Sequence, residues 1–379
     1  MTSRDRNQQT RVKLQTIRQS LKDSCIEMDH VADILVNATL QGEHSVQIGP
    51  PGTAKSMMID KLTQCISGAE VFKYLMTMFT TPSEVMGELD IIALKQGVER
   101  YKTDHKLPTA HIAFIDEVFK GNSAILNSLL MLINERRVNL GGSLIDVPLW
   151  SLHSASNEIP DDQSLRAYMD RILYWAWVGD IQESDNFDMY IQRSHIQDFK
   201  NWTSPTQVDF DELKEACNEA LTQVKLSHEI REKFGLLRDL LIEDGVRISN
   251  RRWQQALNAV KVYAWLDDEN MIFEQHLSIL KHCLWQDLKE RKIVELHVEN
   301  VSTQSEQRII ELCNDAQNCV NELLKLSDSD AIIERITELD NIKYELGRIK
   351  HPNCVQAIEA VERMKAVDAH QHLSGIRSV

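Results

Sequence analysis

A lysine followed by a hydroxyl residue, at the end of a run of small residues, suits the binding of a polyphosphate. Gly49, Pro50, Pro51, Gly52, Thr53, Ala54, Lys55 and Ser56 form such a run. Residues 45–48 before it read as a short strand, and residues 57–62 after it read as a helix. Strand, tight loop and a helix opened by Lys-Ser make the pattern of a phosphate-binding loop. Gly49 and Gly52 let the backbone turn and aim its N–H groups inward, and the helix N-terminus adds partial positive charge. In such a loop Lys55 reaches the β- and γ-phosphates of ATP, and the Ser56 hydroxyl ligates Mg²⁺. Ala54 departs from the general pattern, which has a second glycine there. As the smallest replacement, alanine is expected to be accommodated only at negative φ. An ordinary Gly/Pro turn would share this composition, so a second feature has to support the assignment.

That feature is the run at 111–117, a hydrophobic stretch ending in Asp116 and Glu117, with Asp116 lying 61 residues after Lys55. Adjacent residues at a strand end leave the sheet in different directions, so the two carboxylates are available for different work. Asp116 is placed to hold Mg²⁺ directly or through its water. Glu117 is placed to activate the attacking water as a general base. An exposed acidic turn is the alternative, and the paired loop upstream argues against it. Asn157, just past the apolar run 149–154, is positioned to contact a γ-phosphate or its water, although asparagine also favours turns.

The elements that must carry these residues can be read in outline. Residues 8–40 carry helical spacing in two runs, closed near Gly42, a plausible C-terminal cap. Ile26 to His30 would form part of a base pocket or, equally, belong to a plain core helix. Strand-like runs at 45–48, 71–76, 111–117, 149–154 and 174–178 alternate with helical ones, which predicts an α/β fold with a mainly parallel sheet between helices. Residues 90–108 read as an insertion, and 135–147 as a hairpin around Gly141 and Gly142. No strand pattern is expected beyond about residue 185. Residues 209–290 give three or four helices, one of them opened by Arg251 and Arg252. Paired arginines at a helix start oppose the helix dipole and suggest that they face an anion, unless they are simply solvated. Two long amphipathic helices follow, separated near 327–330, with a further break at Pro352. The expected segments are a nucleotide-binding core at 1–180, an all-α lid at 181–290 and a helical extension at 291–379.

Composition narrows the functional classes. A net charge of −15 over 379 residues argues against a broad nucleic-acid-binding face. Seven cysteines without metal-type spacing suggest reduced thiols in a cytoplasm. The polar N-terminus lacks the apolar stretch of a signal peptide, and no run approaches the length of a membrane span.

Together these motifs resemble the MoxR group of AAA+ ATPases, most closely its RavA branch. The resemblance rests on residues 49–56, where alanine at 54 is usual for the group, and on Thr81, Pro82, Glu84, Val85 and Gly87. It rests further on Phe114–Glu117, Ile125–Asn127, Asn134–Arg136, Ala155–Glu158, Asp170–Arg171 and Arg251–Trp253. It covers about residues 20–290. It implies an AAA+ core with an all-α lid, ATP and Mg²⁺ as ligands, and a homo-oligomeric ring, expected to be a hexamer. By resemblance Asn157 is the sensor-1 residue and Arg171 the finger that reaches a neighbouring subunit's nucleotide. Arg251 is the sensor-2 residue of the lid, with Arg252 as its alternative. Residues 81–92 and the Gly141–Gly142 hairpin look like the two inserts that point into a central pore. The small β-rich insertion of RavA-like proteins is not seen in 291–379, so the partner of that insertion is not carried over.

The function implied is an ATP-hydrolysing, chaperone-like remodeller of a protein partner, in this group often a von Willebrand A domain protein. The alternative from another class is a nucleic-acid motor or a defence-complex ATPase subunit. The acidic balance and the lack of a basic, aromatic-interleaved stretch favour the protein client. A nucleotide-gated scaffold would require an impaired site, and the motifs are intact.

Overall fold

The computed structural model describes residues 3–141, 143–159, 166–194, 202–323, 329–348, 354 and 356–363. Gly142, Ser327, Asp328 and Pro352, used above as turn or break positions, lie outside them. Each of the five apolar runs forms a strand: β1 (Ser45–Ile48), β2 (Val71–Leu75), β3 (Ile112–Asp116), β4 (Ser151–Ser156) and β5 (Tyr174–Trp177). They make one sheet in the order β5-β1-β4-β3-β2, and every pairing is parallel. All residues of β1 and β4 are buried, as expected of central strands covered on both faces. The buried histidine there is paired on both ring nitrogens, whereas the Gln47 side chain of β1 and the Ser154 hydroxyl of β4 are buried without a hydrogen-bond partner. His153 of β4 meets Thr39 Oγ1 at 3.0 Å and Ser45 Oγ at 2.8 Å.

The N-terminal helical stretch is interrupted. Helix α1 (Ser3–Ser24) and helix α2 (Asp29–Gln41) are separated by a turn in which Glu27 takes φ 57°. Gly42 ends α2 at φ 73°, and the amides of residues 42 and 43 return to the carbonyls of Thr39 and Ala38. A Cβ at Gly42 would stand 2.8 Å from the Trp150 ring, so space as well as conformation demands glycine. Helix α3 (Lys55–Gln64) leaves the 49–56 loop, α4 (Ser123–Glu135) follows β3, and α5 (Arg166–Arg171) precedes β5. In α4 the residues Ile125, Leu126, Leu129, Leu132 and Ile133 are buried. Asn122 caps its start by accepting from the Ile125 amide.

Two hairpins leave this layer. Glu88–Leu89 pairs antiparallel with Tyr101–Lys102 around a short helix, Ile91–Lys95. Arg137–Leu140 pairs antiparallel with Ser143–Asp146. Ile91, Ile92, Leu94 and Val98 on the first and Leu144 and Ile145 on the second are exposed to solvent.

Beyond residue 185, among the described residues, one short strand breaks the all-helical expectation. Val208–Asp209 pairs in parallel with Ile66–Ser67, a bridge too short to leave a periodic signal. Helices α6 (Phe210–Gln223), α7 (His228–Glu243) and α8 (Asn250–Leu266) follow, with a 3₁₀ segment at Glu274–His282. Helix α1 ties both layers together. Arg11 stacks over the Trp265 ring at 4.4 Å and pairs with Asp268, and Arg18 pairs with Asp267 at 2.7 Å. Helix α9 (Leu288–Leu323) runs unbroken through 290/291, the expected limit of the lid. Its Val294, Val298 and Val301 join the main core. Its Ile309, Leu312, Ala316 and Leu323 build a second core with Leu339, Ile342 and Leu346 of α10 (Ser329–Arg348). Cys25, Cys65, Cys217, Cys283, Cys313 and Cys319 are not in disulfides. Among the described residues no helix is long and apolar enough to cross a membrane.

Candidate functional site

β1 runs directly into the 49–56 loop. The Gly49 amide donates to the Ser156 carbonyl at 3.2 Å. A Cβ at Gly49 would fall 1.8 Å from the Val178 carbonyl oxygen, which makes glycine obligatory there. Ala54 corrects one expectation: it stands at φ 61°, ψ 16°, in the left-handed region. It is the last residue before α3, where the chain must reverse from loop to helix. For a non-glycine residue that conformation costs about 1 kcal/mol. The Lys55 ammonium is folded back on the loop, donating to the carbonyls of Gly49 at 2.7 Å and Pro50 at 2.6 Å. It also lies 3.3 Å from Asn157 Oδ1. Burial lowers its pKa, and Glu117 and Asp116 oppose that shift.

Asp116 and Glu117 do leave the strand end differently. Asp116 Oδ2 accepts from the Ser56 hydroxyl at 2.8 Å, and its Oδ1 accepts from the Glu117 amide at 3.0 Å. Glu117 takes φ 53°, an uncommon conformation for a glutamate. Its Oε1 accepts from Asn157 Nδ2 and lies 3.3 Å from Lys120 Nζ. Its Oε2 is buried with no hydrogen-bond partner. Lys55, Ser56, Asp116, Glu117 and Asn157, more than a hundred residues apart at the extremes, thus form one cluster. Lys120 was not foreseen; its only sequence signal is its place one turn after Glu117.

The donor set fits a small hard cation. The Ser56 hydroxyl and Asp116 carboxylate are an adjacent oxygen pair. Among the described residues no cluster of three or more His, Cys, Asp or Glu side chains forms an all-protein metal site. Mg²⁺ characteristically uses one or two protein oxygens and takes the rest from water and phosphate.

Of the run Ile26–His30, Glu27, Asp29 and His30 line a neighbouring cleft, while Ile26 lies in the turn between α1 and α2 and is not among its lining residues. That cleft, of about 360 Å³, is bounded by Glu27, His30, Asp33, Tyr263, Lys281 and His282, among others. It adjoins the loop end of the sheet, because His30 Nε2 meets the Trp177 carbonyl at 2.9 Å. The His30 and His282 rings stack at 5.8 Å, and burial lowers both pKa values.

The three arginines sit elsewhere. Arg171 donates to Asp170 Oδ2 at 2.9 Å and to Asn134 Oδ1 at 3.0 Å. Arg251 donates to the same Asn134 oxygen at 2.7 Å. Arg252 is buried and donates to the carbonyls of Met169, Ile172, Leu173 and Cys283. β1 and β5 are parallel, with Ser45 beside Tyr174 and Ile48 beside Trp177. Arg171 precedes Tyr174, whereas the loop follows Ile48. A strand's length, about 13 Å, therefore separates the arginines from the chain's own loop. Arg252 is corrected to a structural residue: its guanidinium is spent on main-chain oxygens. Replacing Arg252 by alanine should destabilise the protein by about 3 kcal/mol or more, because several buried carbonyls lose a charged donor. Arg251→Ala, at an exposed position, should stay within about 0.5 kcal/mol. Urea unfolding midpoints compare the two, and equal midpoints would contradict this assignment.

Comparison with known proteins bears on this geometry. The profile of the family described as the MoxR domain in the MoxR-vWA-beta-propeller ternary systems matches residues 12–218. The AAA lid domain profile matches residues 224–298. The protein MJ0812 of Methanocaldococcus jannaschii is 34% identical over 353 residues, covering 93% of this chain and 89% of its own. The chaperone MoxR1 of Mycobacterium tuberculosis is 22% identical over 163 residues, 42% of each chain. A crystal structure of a protein from Cytophaga hutchinsonii superposes with a TM-score of 0.60. It covers 79% of this chain and 97% of its own at 17% identity, a likeness of fold.

Proposed function

The chain belongs to the MoxR group of AAA+ ATPases, and on that premise we propose that it is a Mg²⁺-dependent ATPase, completed by a neighbouring copy, that remodels a protein client. The observation that carries this proposal is the gathering of Lys55, Ser56, Asp116, Glu117 and Asn157 around one loop, with Glu117 Oε2 buried and unpartnered.

In this account the triphosphate lies along the amides of the 49–56 loop. Lys55 exchanges the carbonyls of Gly49 and Pro50 for phosphate oxygens, trading neutral acceptors for charged ones. Ser56 and Asp116 would hold Mg²⁺, whose charge would offset that of the phosphates. Glu117 takes the proton of the attacking water on Oε2, while Asn157 and Lys120 fix Oε1. The base enters the cleft beside His30, on the β5 side of the loop. Arg171, at the far end of the sheet, serves the nucleotide of the next copy in a ring, expected to be hexameric. Arg251 belongs with it, which moves the sensor-2 role from the chain's own nucleotide to a neighbour's.

The apolar residues on the two hairpins supply a surface for a protein segment. The matched profile is named for systems containing a von Willebrand A protein, and MoxR1 is named a chaperone; both support a protein client. We follow that profile, rather than the RavA-like motifs, for the partner. The assembled protein should hydrolyse ATP only with Mg²⁺, and should show no tight, steeply salt-dependent complex with duplex or single-stranded DNA in a gel-shift titration. Absence of Mg²⁺-dependent hydrolysis would remove the proposal. Nanomolar DNA binding at moderate salt would transfer the client to nucleic acid.

A further inference from the structure

We propose that Asn134 is a positioning residue, holding Arg171 and Arg251 as a pair aimed at a phosphate of the neighbouring copy; this rests on the shared-site reading above. Three helix ends meet at its side chain. Asn134 is the penultimate residue of α4, Arg171 the last of α5 and Arg251 the second of α8. One amide oxygen accepts from Arg171 Nε at 3.0 Å and from Arg251 Nη1 at 2.7 Å. Long side chains rooted in separate elements otherwise sample many rotamers, and a shared acceptor restricts both at once.

The acceptor is neutral, and that matters. Arg171 has the Asp170 carboxylate beside it, whereas Arg251 donates to the Asn134 amide oxygen. Arg136 and Arg252 lie close by, and Arg251 helps to lower the pKa of Arg136 after burial and against Glu43. Glu43 is itself half-buried, and its carboxylate accepts from Gln255 Nε2 at 3.1 Å. In a chain of net charge −15, four guanidiniums gather here, faced by Asp170, Glu43 and Glu290, and two of them stand at the dipole-opposed start of α8. An amide orients Arg171 and Arg251 and adds no further negative charge to the one that Asp170 already sets beside Arg171. A carboxylate at the same place would form charge-assisted pairs and hold them back.

The test uses assembled protein, with ATP as the probe. Asn134→Ala should lower kcat about tenfold, the value of one lost hydrogen bond, and leave KM for ATP within about twofold. The loop and base that Asn134 serves are on the other copy and remain intact. Asn134→Gln, which keeps an amide oxygen, should recover most of the rate. Asn134→Asp, which keeps the oxygen but adds charge, should be as slow as the alanine variant. Mixing Asn134→Ala with Lys55→Ala copies should restore turnover, because the latter present an intact Asn134, Arg171 and Arg251. A merely structural defect at the end of α4 would not be corrected by a neighbour. Wild-type kcat in Asn134→Ala, or a loss that mixing leaves untouched, would overturn the role of Asn134. Failure of the shared site appears separately: Arg171→Ala and Lys55→Ala copies would then stay inactive when mixed.

Discussion

Replacing Glu117 by glutamine should leave ATP bound and slow its hydrolysis by about 10²–10⁴-fold, the usual span for a general base. The side chain is already poised for that work. Asn157 and Lys120 engage Oε1, and Oε2 is buried without a partner. Glutamine keeps the shape and the contact to Asn157 but cannot take the water's proton. Lys55→Ala should differ in kind, because it removes the charge at the β- and γ-phosphates and so weakens binding itself. Steady-state hydrolysis and a direct nucleotide-binding titration separate the two variants. Glu117→Gln hydrolysing ATP at the wild-type rate would show that another group takes the proton.

Arg171→Ala should abolish turnover just as deeply while leaving the protein folded. An arginine that stabilises charge on the transferred phosphoryl group contributes about 10³–10⁵ in rate. Its stabilising role in its own chain is small by comparison. It pairs with the partly exposed Asp170 and with an amide oxygen, and exposed pairs contribute at most about 1 kcal/mol. A rate loss of that size with an unchanged melting temperature therefore separates a finger from a structural arginine. Arg252 supplies the contrast, as its loss should act on stability first. A drop in rate that followed a drop in melting temperature would assign Arg171 to its own chain.

Much of this was legible in the sequence because local pattern and function coincide there. The five strands are short apolar runs, and the loop at 49–56 sits between a strand and a helix whose types are plain. Gly42 as a cap and the hairpin at 137–146 follow from turn chemistry. What escaped depends on tertiary geometry. Ala54 is left-handed because the reversal into α3 sets its backbone, which no propensity of alanine would suggest. Arg251 and Arg252 are adjacent in sequence, yet successive helix positions point about 100° apart. One reaches Asn134 at the surface and the other is enclosed by four carbonyls. The pairing of Val208–Asp209 with Ile66–Ser67 is too short for any period. Helix α9 hides the passage from one core to the next because a continuous helix carries no break at residue 290.

Hydrolysis is expected to need residues from two copies, since Arg171 and the 49–56 loop lie at opposite ends of the same parallel sheet. The direct measurement is ATP hydrolysis by mixed assemblies of Lys55→Ala and Arg171→Ala copies across a range of ratios. Each variant alone should be inactive, and the mixture should regain partial activity, greatest near equal amounts, where an intact loop most often faces an intact arginine. Mixtures that stay inactive at every ratio, or Arg171→Ala copies that hydrolyse ATP normally on their own, would contradict it.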